Sequence, residues 1–245
     1  MGWKRPGWAM LPRGIMAGAT VAVVLLPLAA CADHVAGGSK AAGARHAAGG
    51  VTASAKVDEP GDGSDTIMII RHGEKPAGSQ KSSGVDATGS QSPGSLSVRG
   101  WQRAGALVGL FDPAAADPIR AGLSRPRSIY AAKPDGDAGQ RPSQTVTPLA
   151  DRLGLTVNTT YAKGNVQALV QDITAVHGTV LVCWQHEEIP ALAAALGPVT
   201  TPVPTNWPDD RFDLVWAFTR VATGWSFRQV PQLLLAGDHA DPISS

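Results

Sequence analysis

The chain has 245 residues, 43% of them hydrophobic, enough for one sizeable core and not obviously for two. Its 21 basic and 20 acidic residues leave a formal net charge of +1, which gives no reason to expect nucleic-acid or membrane-surface binding by the body of the protein. The two cysteines, Cys31 and Cys183, and the histidines show no metal-like clustering, so neither a metal nor a cofactor is expected.

Residues 1–31 read as an export signal. Lys4, Arg5 and Arg13 supply a positive start, and Gly14 to Ala30 is apolar and uncharged. That run is marginal for a bilayer span, which takes about 20 apolar residues, and it suits the hydrophobic region of a signal peptide. It ends in Leu28-Ala29-Ala30-Cys31, which resembles the lipobox of bacterial lipoproteins. The resemblance implies that Cys31 receives a diacylglyceryl group and becomes the first residue of the mature protein. Two acyl chains suffice for stable anchoring. An uncleaved single-span anchor is the alternative, and either places the domain outside the cytoplasm, on the outer face of the cell membrane. With Cys31 lipidated, Cys183 has no partner in the chain. It sits in the apolar run Val180-Leu181-Val182-Cys183-Trp184, so a small buried thiol and no disulfide are expected.

Residues 32–64 are Gly, Ala, Ser and isolated charges without apolar periodicity, a flexible tether in which His34 and His46 are solvated bystanders. One domain is expected over 65–235, with a tail over 236–245. Thr66 to Ile70 is a continuous apolar run of the kind found in a strand buried on both faces. Ala77 to Ser95 is a Gly/Ser-rich loop. Between Ser97 and Phe111, the residues Trp101, Ala104, Leu107, Val108 and Phe111 recur at helical spacing. Further on, the pattern predicts strands at Ser128–Ala132, Leu155–Tyr161 and Thr179–Trp184. Helices are predicted at Gln144–Leu153, Val166–Val176 and Ile189–Leu196. Phe212–Thr219 and Trp225–Val230, around Thr223-Gly224, form a terminal hairpin. Strands alternating with helices imply an α/β three-layer sandwich, a mainly parallel central sheet covered on both faces.

The chemistry concentrates after the first strand, in Arg71-His72-Gly73-Glu74. In open α/β sheets, sites gather beyond the carboxyl ends of the strands. A neutral, oriented histidine can attack phosphorus when cations hold the phosphoryl group close. Arg71 offers a planar, permanently charged fork for phosphate oxygens, and Gly73 permits a sharp turn and close backbone approach. Alone the string is weak, because a surface turn reads the same way. Three further features join it: Leu96-Ser97-Val98-Arg99-Gly100 opening a helix, Arg141-Pro142-Ser143-Gln144-Thr145 opening another, and His186-Glu187 just past the Val180–Trp184 strand.

Together these residues resemble the histidine phosphatase (phosphoglycerate mutase-like) superfamily over most of 65–235. Its members carry Arg-His-Gly after the first strand, a leucine-hydroxyl-x-x-Gly helix start, an arginine four residues before a threonine, and a late histidine following a strand. The resemblance implies that His72 is phosphorylated during turnover and that Arg71, Arg141 and His186 bind the phosphoryl group and stabilise its developing charge. One branch places an acid immediately after the late histidine, where Glu187 stands. The other takes one from the region after the second arginine, where Asp151 and Asp172 are the only acids before Gly178. Glu187 is the expected general acid, and Glu74 either helps to bind substrate or is exposed. Arg125 and Arg127 are the fallback for Arg141. His177, His239 and the tryptophans Trp207, Trp216 and Trp225 have plain structural readings.

The reading is therefore a metal-independent phosphomonoesterase acting on a small-molecule or protein phosphate ester. A non-catalytic, phospho-ligand-binding lipoprotein of the same fold is the rival from another class. A phosphoglycerate-type mutase is less favoured, since the short Ala77–Ser95 loop is a poor lid for keeping water from the intermediate. Serine hydrolase, P-loop and zinc-protease readings fail for want of G-x-S-x-G, a P-loop string and H-E-x-x-H. Pocket walls are expected from Ala77–Ser95, Lys133–Gln140 and Pro198–Asp210.

Overall fold

The computed structural model describes residues 64–77 and 83–244. The signal segment, Cys31 and nearly all of the tether lie outside the described residues. Among the described residues, no helix is long and apolar enough to cross a membrane.

The apolar run after Asp65 becomes β1 (Thr66–Arg71), every residue of it buried. A two-residue ribbon follows, β2 (Gly84–Val85) against β3 (Gln91–Ser92), where the sequence suggested only loop. Next come α1 (Val98–Phe111), β4 (Ser128–Ala131), α2 (Arg141–Leu153) and β5 (Val157–Asn158). The chain continues through α3 (Val166–Ala175), β6 (Thr179–Trp184), a short 3₁₀ turn over His186–Glu188, and α4 (Ile189–Ala195). It ends in the hairpin β7 (Leu214–Val221) and β8 (Gly224–Pro231). The strand expected at Leu155–Tyr161 shrinks to two residues because it sits at the sheet edge and pairs only with β4. Helix α2 begins three residues before its expected start, with a proline in its first turn, where a missing N–H costs nothing.

The large sheet runs β5-β4-β6-β1-β7-β8. Strands β5, β4, β6 and β1 are mutually parallel, while β7 is antiparallel to both β1 and β8. Successive side chains of a strand face opposite sides, and here each side finds its own layer. Met68, Ile70, Leu181 and Cys183 pack with Leu107, Phe111, Val146 and Leu149 of α1 and α2. Ile67, Ile69, Val180, Val182 and Trp184 pack with Leu169, Ile173, Ile189 and Leu192 of α3 and α4. The protein is thus a three-layer α/β sandwich with a mainly parallel sheet, as its alternating pattern implied. Cys183 lies in the first of these layers, and complete burial pushes its thiol well above the ordinary range.

The order places β1 beside β6, yet their outgoing chains diverge: β1 leads into α1 on one face, β6 into α4 on the other. Such a divergence opens a crevice at the carboxyl edge of the sheet. The register sets Arg71 against Trp184, and the His72 amide donates to the Trp184 carbonyl at 3.1 Å. His72 and His186 are therefore neighbours across that edge.

Residues 236–244 are held to the domain rather than trailing from it. Ile243 packs into the α3/α4 layer and exchanges both backbone polar groups with the Gln229 amide. Asp238 accepts from Arg103 and from the amides of Leu234 and Leu235. Burial pushes the Asp238 carboxyl up, but the Arg103 guanidinium and those amides outweigh it and bring it to about 2. Hydrogen bonds from Arg152 and Arg125 likewise hold Asp112 below the usual range, and the Gly178 amide does so for Asp65. A carboxyl lowered in the folded state contributes stability above its unfolded pKa and loses it as pH falls through the folded one. Folding stability should hold down to about pH 4 and then fall steeply towards pH 2. Near-ultraviolet circular dichroism against pH checks this, and a transition centred above pH 5 would contradict it.

Candidate active site

The β1–α1 junction is set by two close backbone approaches. A Cβ on Gly73 would stand 3.0 Å from the Gly100 carbonyl, and one on Gly100 would stand 2.6 Å from the Glu74 carbonyl. Glycine at both positions lets the N-terminus of α1 lie directly on the turn that carries His72. Ser97 caps that helix, its hydroxyl accepting from the Gly100 amide at 3.1 Å, and its own amide donates to the Glu74 carbonyl. Helix α2 is tied to the same turn by Thr145. Its buried hydroxyl accepts from the Gly73 amide at 2.8 Å and donates to the Arg141 carbonyl at 2.7 Å.

His72 is only 5% exposed, and its Nδ1 lies 2.7 Å from the Gly73 carbonyl. A carbonyl only accepts, so Nδ1 carries the proton and Nε2 keeps its lone pair. Burial, reinforced by the positive charges of Arg71, Arg141 and His186, lowers His72 to about 3. The ring is therefore neutral across the physiological range, with Nε2 available as a nucleophile.

Arg71 is 1% exposed, and its Nη1 donates to the carbonyls of Pro208, Asp209 and Arg211 at 3.1, 2.7 and 3.1 Å. The Phe212 ring lies 3.8 Å from the guanidinium carbon. Burial lowers Arg71 to about 10, which still leaves it charged at neutral pH. Its Nε and Nη2 have no partner. Nor has Nε of Arg141, whose guanidinium is lowered by burial and favoured by the charge of Glu187.

Among the described residues seven buried side-chain polar atoms lack a hydrogen-bond partner. Five of them, Nε and Nη2 of Arg71, Nε of Arg141, Oε1 of Gln185 and Nδ1 of His186, belong to residues at this one sheet edge. Three of the five, on Arg71 and Arg141, are obligate donors. Buried donors are normally satisfied, so these three mark a place built for an acceptor.

His186 is buried, with Nε2 hydrogen-bonded to Oδ1 of Asp209. Its Nδ1 is 3.1 Å from Oε2 of Glu187, outside hydrogen-bond geometry. Glu187 is half-exposed, with Lys163 3.7 Å away. Burial pushes its carboxyl up, but its own amide and the charges of His186, Lys163 and His72 hold it below the usual range.

The structure thus brings Arg71, His72, Gly73, Arg141, His186 and Glu187 to the carboxyl edge of the sheet. Glu74 has a different part. Arg103 approaches its carboxylate at 2.8 Å and Arg99 at 3.1 Å, so it is committed to an ion-pair cluster with the first helix. Arg125 and Arg127 precede β4 and stand at its amino end, the wrong edge, where Arg125 pairs with Asp112. Asp151 is exposed on α2, and Asp172 accepts from the Tyr161 hydroxyl at 3.0 Å.

Asp209 and Phe212 are site residues that the sequence did not single out. They lie in a loop with no periodicity, and only long-range contacts bring them here. Both also line a side cavity of ≈ 500 Å³ next to His72, together with Glu74, Lys75, Pro76, Ala77, Ser97, Val98 and Arg99. Two of the three expected wall segments contribute to it. Lys133–Gln140 does not; it packs against the ribbon, where a Cβ on Gly94 would stand 1.9 Å from the Asp137 carbonyl. Among the described residues, no three His, Cys, Asp or Glu side chains gather as a metal-binding group.

No protein-family model matches the sequence, and no curated protein matches it. Among solved structures, a mycobacterial glucosyl-3-phosphoglycerate phosphatase is similar at 17% identity and a TM-score of 0.41. The match covers 69% of this chain and 98% of that one. A protein described as mycobacterial hydrolase 2 is similar at 14% identity and a TM-score of 0.40, covering 75% and 94%. A phosphoserine phosphatase from Entamoeba histolytica, in a mutant form bound to phosphoserine, is similar at 12% identity and a TM-score of 0.39, covering 66% and 94%.

Proposed function

We propose that this protein is a phosphomonoester hydrolase of the histidine phosphatase superfamily, working through a phosphohistidine on Nε2 of His72. The observation that supports this best is a neutral histidine beside two arginines, Arg71 and Arg141, that keep three buried N–H groups without a partner. A phosphoryl dianion is the ligand that suits such donors. Arg71 and Arg141 hold it and take up the charge that builds on its oxygens. Nε2 of His72 attacks phosphorus, the alcohol departs, and water then releases inorganic phosphate from the histidine. None of these steps calls on a metal.

By the same reading the chain is an exported lipoprotein, with Cys31 as the acylated residue and residues 32–64 as the tether. This rests on the signal-like segment and lipobox-like string alone.

The test is hydrolysis of para-nitrophenyl phosphate in EDTA, followed by rapid quenching and an assay for acid-labile, alkali-stable protein phosphate. Turnover in chelator with trapped phosphohistidine is the expected result. A well-folded protein that binds inorganic phosphate but turns nothing over, from acid to neutral pH, would instead be the binding lipoprotein.

A further inference from the structure

Expelling an alkoxide from phosphorus needs an acid that delivers a proton to the leaving oxygen. Glu187 is the candidate by resemblance, but the space around the site selects another residue. A phosphoryl group seated at His72 must place its organic part somewhere, and the ≈ 500 Å³ side cavity adjoins it. Phe212 forms the shared wall, its ring 6.3 Å from that of His72. The bridging oxygen of a bound ester then lies at the mouth of this cavity.

Two carboxylates line the cavity, those of Glu74 and Asp209. Glu74 is engaged by Arg99 and Arg103. Asp209 has Oδ1 on Nε2 of His186, and its side chain is 83% exposed. Oδ1 thus occupies a position where an oxygen bonded to phosphorus would find the same imidazole donor. Glu187 is not part of the cavity wall, and its charged neighbour Lys163 belongs to the segment leading into α3.

We propose that Asp209, rather than Glu187, is the general acid and base of this site, serving a leaving group held in the side cavity between Phe212, Val98 and Pro76. The proposal rests on the phosphatase reading above and names the residue that completes it. The loop is fixed for such a task. Arg71 holds the carbonyls of Pro208, Asp209 and Arg211, the Trp207 indole N–H donates to the Arg211 carbonyl at 2.8 Å, and Arg211 is paired with Asp213 at 2.7 Å. A carboxyl on a loop held at this many points starts close to its working position.

The chemistry balances as follows. The Nε2 lone pair forms the N–P bond while the bridging P–O bond breaks, and the departing oxygen takes the Asp209 proton to leave as an alcohol. Asp209, now a carboxylate, takes a proton from water as that oxygen bonds phosphorus. The N–P bond breaks, inorganic phosphate leaves, and His72 and the Asp209 carboxyl return to their starting states. The hydrogen bond and charge of His186 hold Asp209 below the ordinary carboxylate range. A phosphoryl dianion beside it opposes the second negative charge and favours the protonated form.

A leaving-group comparison tests this. A nitrophenolate departs without a proton and an alkoxide does not, so only the alkyl ester depends strongly on the acid. Full-length wild type, Asp209→Asn and Glu187→Gln, solubilised in detergent, are each assayed on para-nitrophenyl phosphate and on 2-phenylethyl phosphate. The measured quantity is kcat/KM, which reports the phosphoryl transfer to His72. In Asp209→Asn the alkyl-to-aryl ratio should fall on the order of 100-fold, while in Glu187→Gln it should stay within about threefold. A residue that merely positions His186 would lower both substrates together and leave the ratio alone, which overturns the proposal. So would a ratio that collapses in Glu187→Gln instead, or a gain on both substrates in Asp209→Asn, which would make Asp209 a carboxylate blocking the anion site. Wild type that turns over the aryl ester alone has no working acid, and the proposal fails with the phosphatase intact. Wild type inactive on both brings down the phosphatase reading itself.

Discussion

His72→Ala is expected to lower kcat on para-nitrophenyl phosphate by on the order of 10⁴-fold or more, since nothing else in the site can form the covalent intermediate. The same variant should still bind inorganic phosphate within about tenfold of wild type, because the charge that holds the anion comes from Arg71 and Arg141 rather than from a neutral ring. The two measurements separate chemistry from binding. Initial rates give the first, and titration calorimetry with inorganic phosphate gives the second. Loss of both would mean that the truncation collapses the turn, which is unlike a site in which Gly73 is held independently by Thr145. Activity within tenfold of wild type would remove His72 as the nucleophile. The expected pH response follows from the same geometry. His72 is held to about 3, so its own protonation imposes no acid limb on kcat/KM above about pH 4.

How far the sequence carries this site depends on which residues report locally. β1 and β6 were legible because a strand buried on both faces must be apolar throughout, and no alternation obscures it. Helix α1 was legible from the spacing of Trp101, Ala104, Leu107, Val108 and Phe111, since one stripe faces the sheet. The positions of Arg71, His72 and His186 followed from those strands, because each sits at or within two residues of a strand's carboxyl end. Arg141 was readable only through the family resemblance, in which an arginine stands four residues before a threonine, and the structure gives that spacing a cause: one turn of helix lets the threonine hydroxyl reach both the Arg141 carbonyl and the Gly73 amide. Asp209 gave no comparable signal. It lies in an aperiodic Pro-rich stretch, and what places it is Arg71, 138 positions earlier in the chain. The role of Glu74 was illegible for the same reason, since its partners, Arg99 and Arg103, come from α1 and are themselves paired with Asp238 far along the chain. Where an element's position is set by its own periodicity, the sequence shows it; where it is set by a distant ion pair, the sequence does not.

That distant pairing carries the second large effect. Arg103 is 1% exposed and directs all its nitrogens at partners: Nε and Nη2 at the Glu74 carboxylate, Nη1 at the Gln232 amide oxygen and Asp238, and Nη2 also at Asp238. Hydrogen bonds and charge from both carboxylates raise its pKa against the opposing effect of burial. The network joins the turn that carries His72, the first helix and the end of the chain in one buried cluster. Arg103→Ala leaves two buried carboxylates with only the half-exposed Arg99 as counter-charge and opens a void beside them. Breaking a buried pair by deleting one partner costs about 3–5 kcal/mol. For a domain of this size that is a fall of roughly 10 °C in Tm, readable by calorimetry. Arg103→Ala together with Glu74→Gln and Asp238→Asn should recover part of the loss, because the stranded charges go with the arginine. The single variant should also lose catalytic rate below its Tm, since the Glu74 carbonyl caps the Ser97 amide and packs on Gly100 beside the His72 turn. A Tm within about 2 °C of wild type would show that water already screens the cluster, and that the C-terminal segment is docked by Ile243 and its exchange with Gln229 alone.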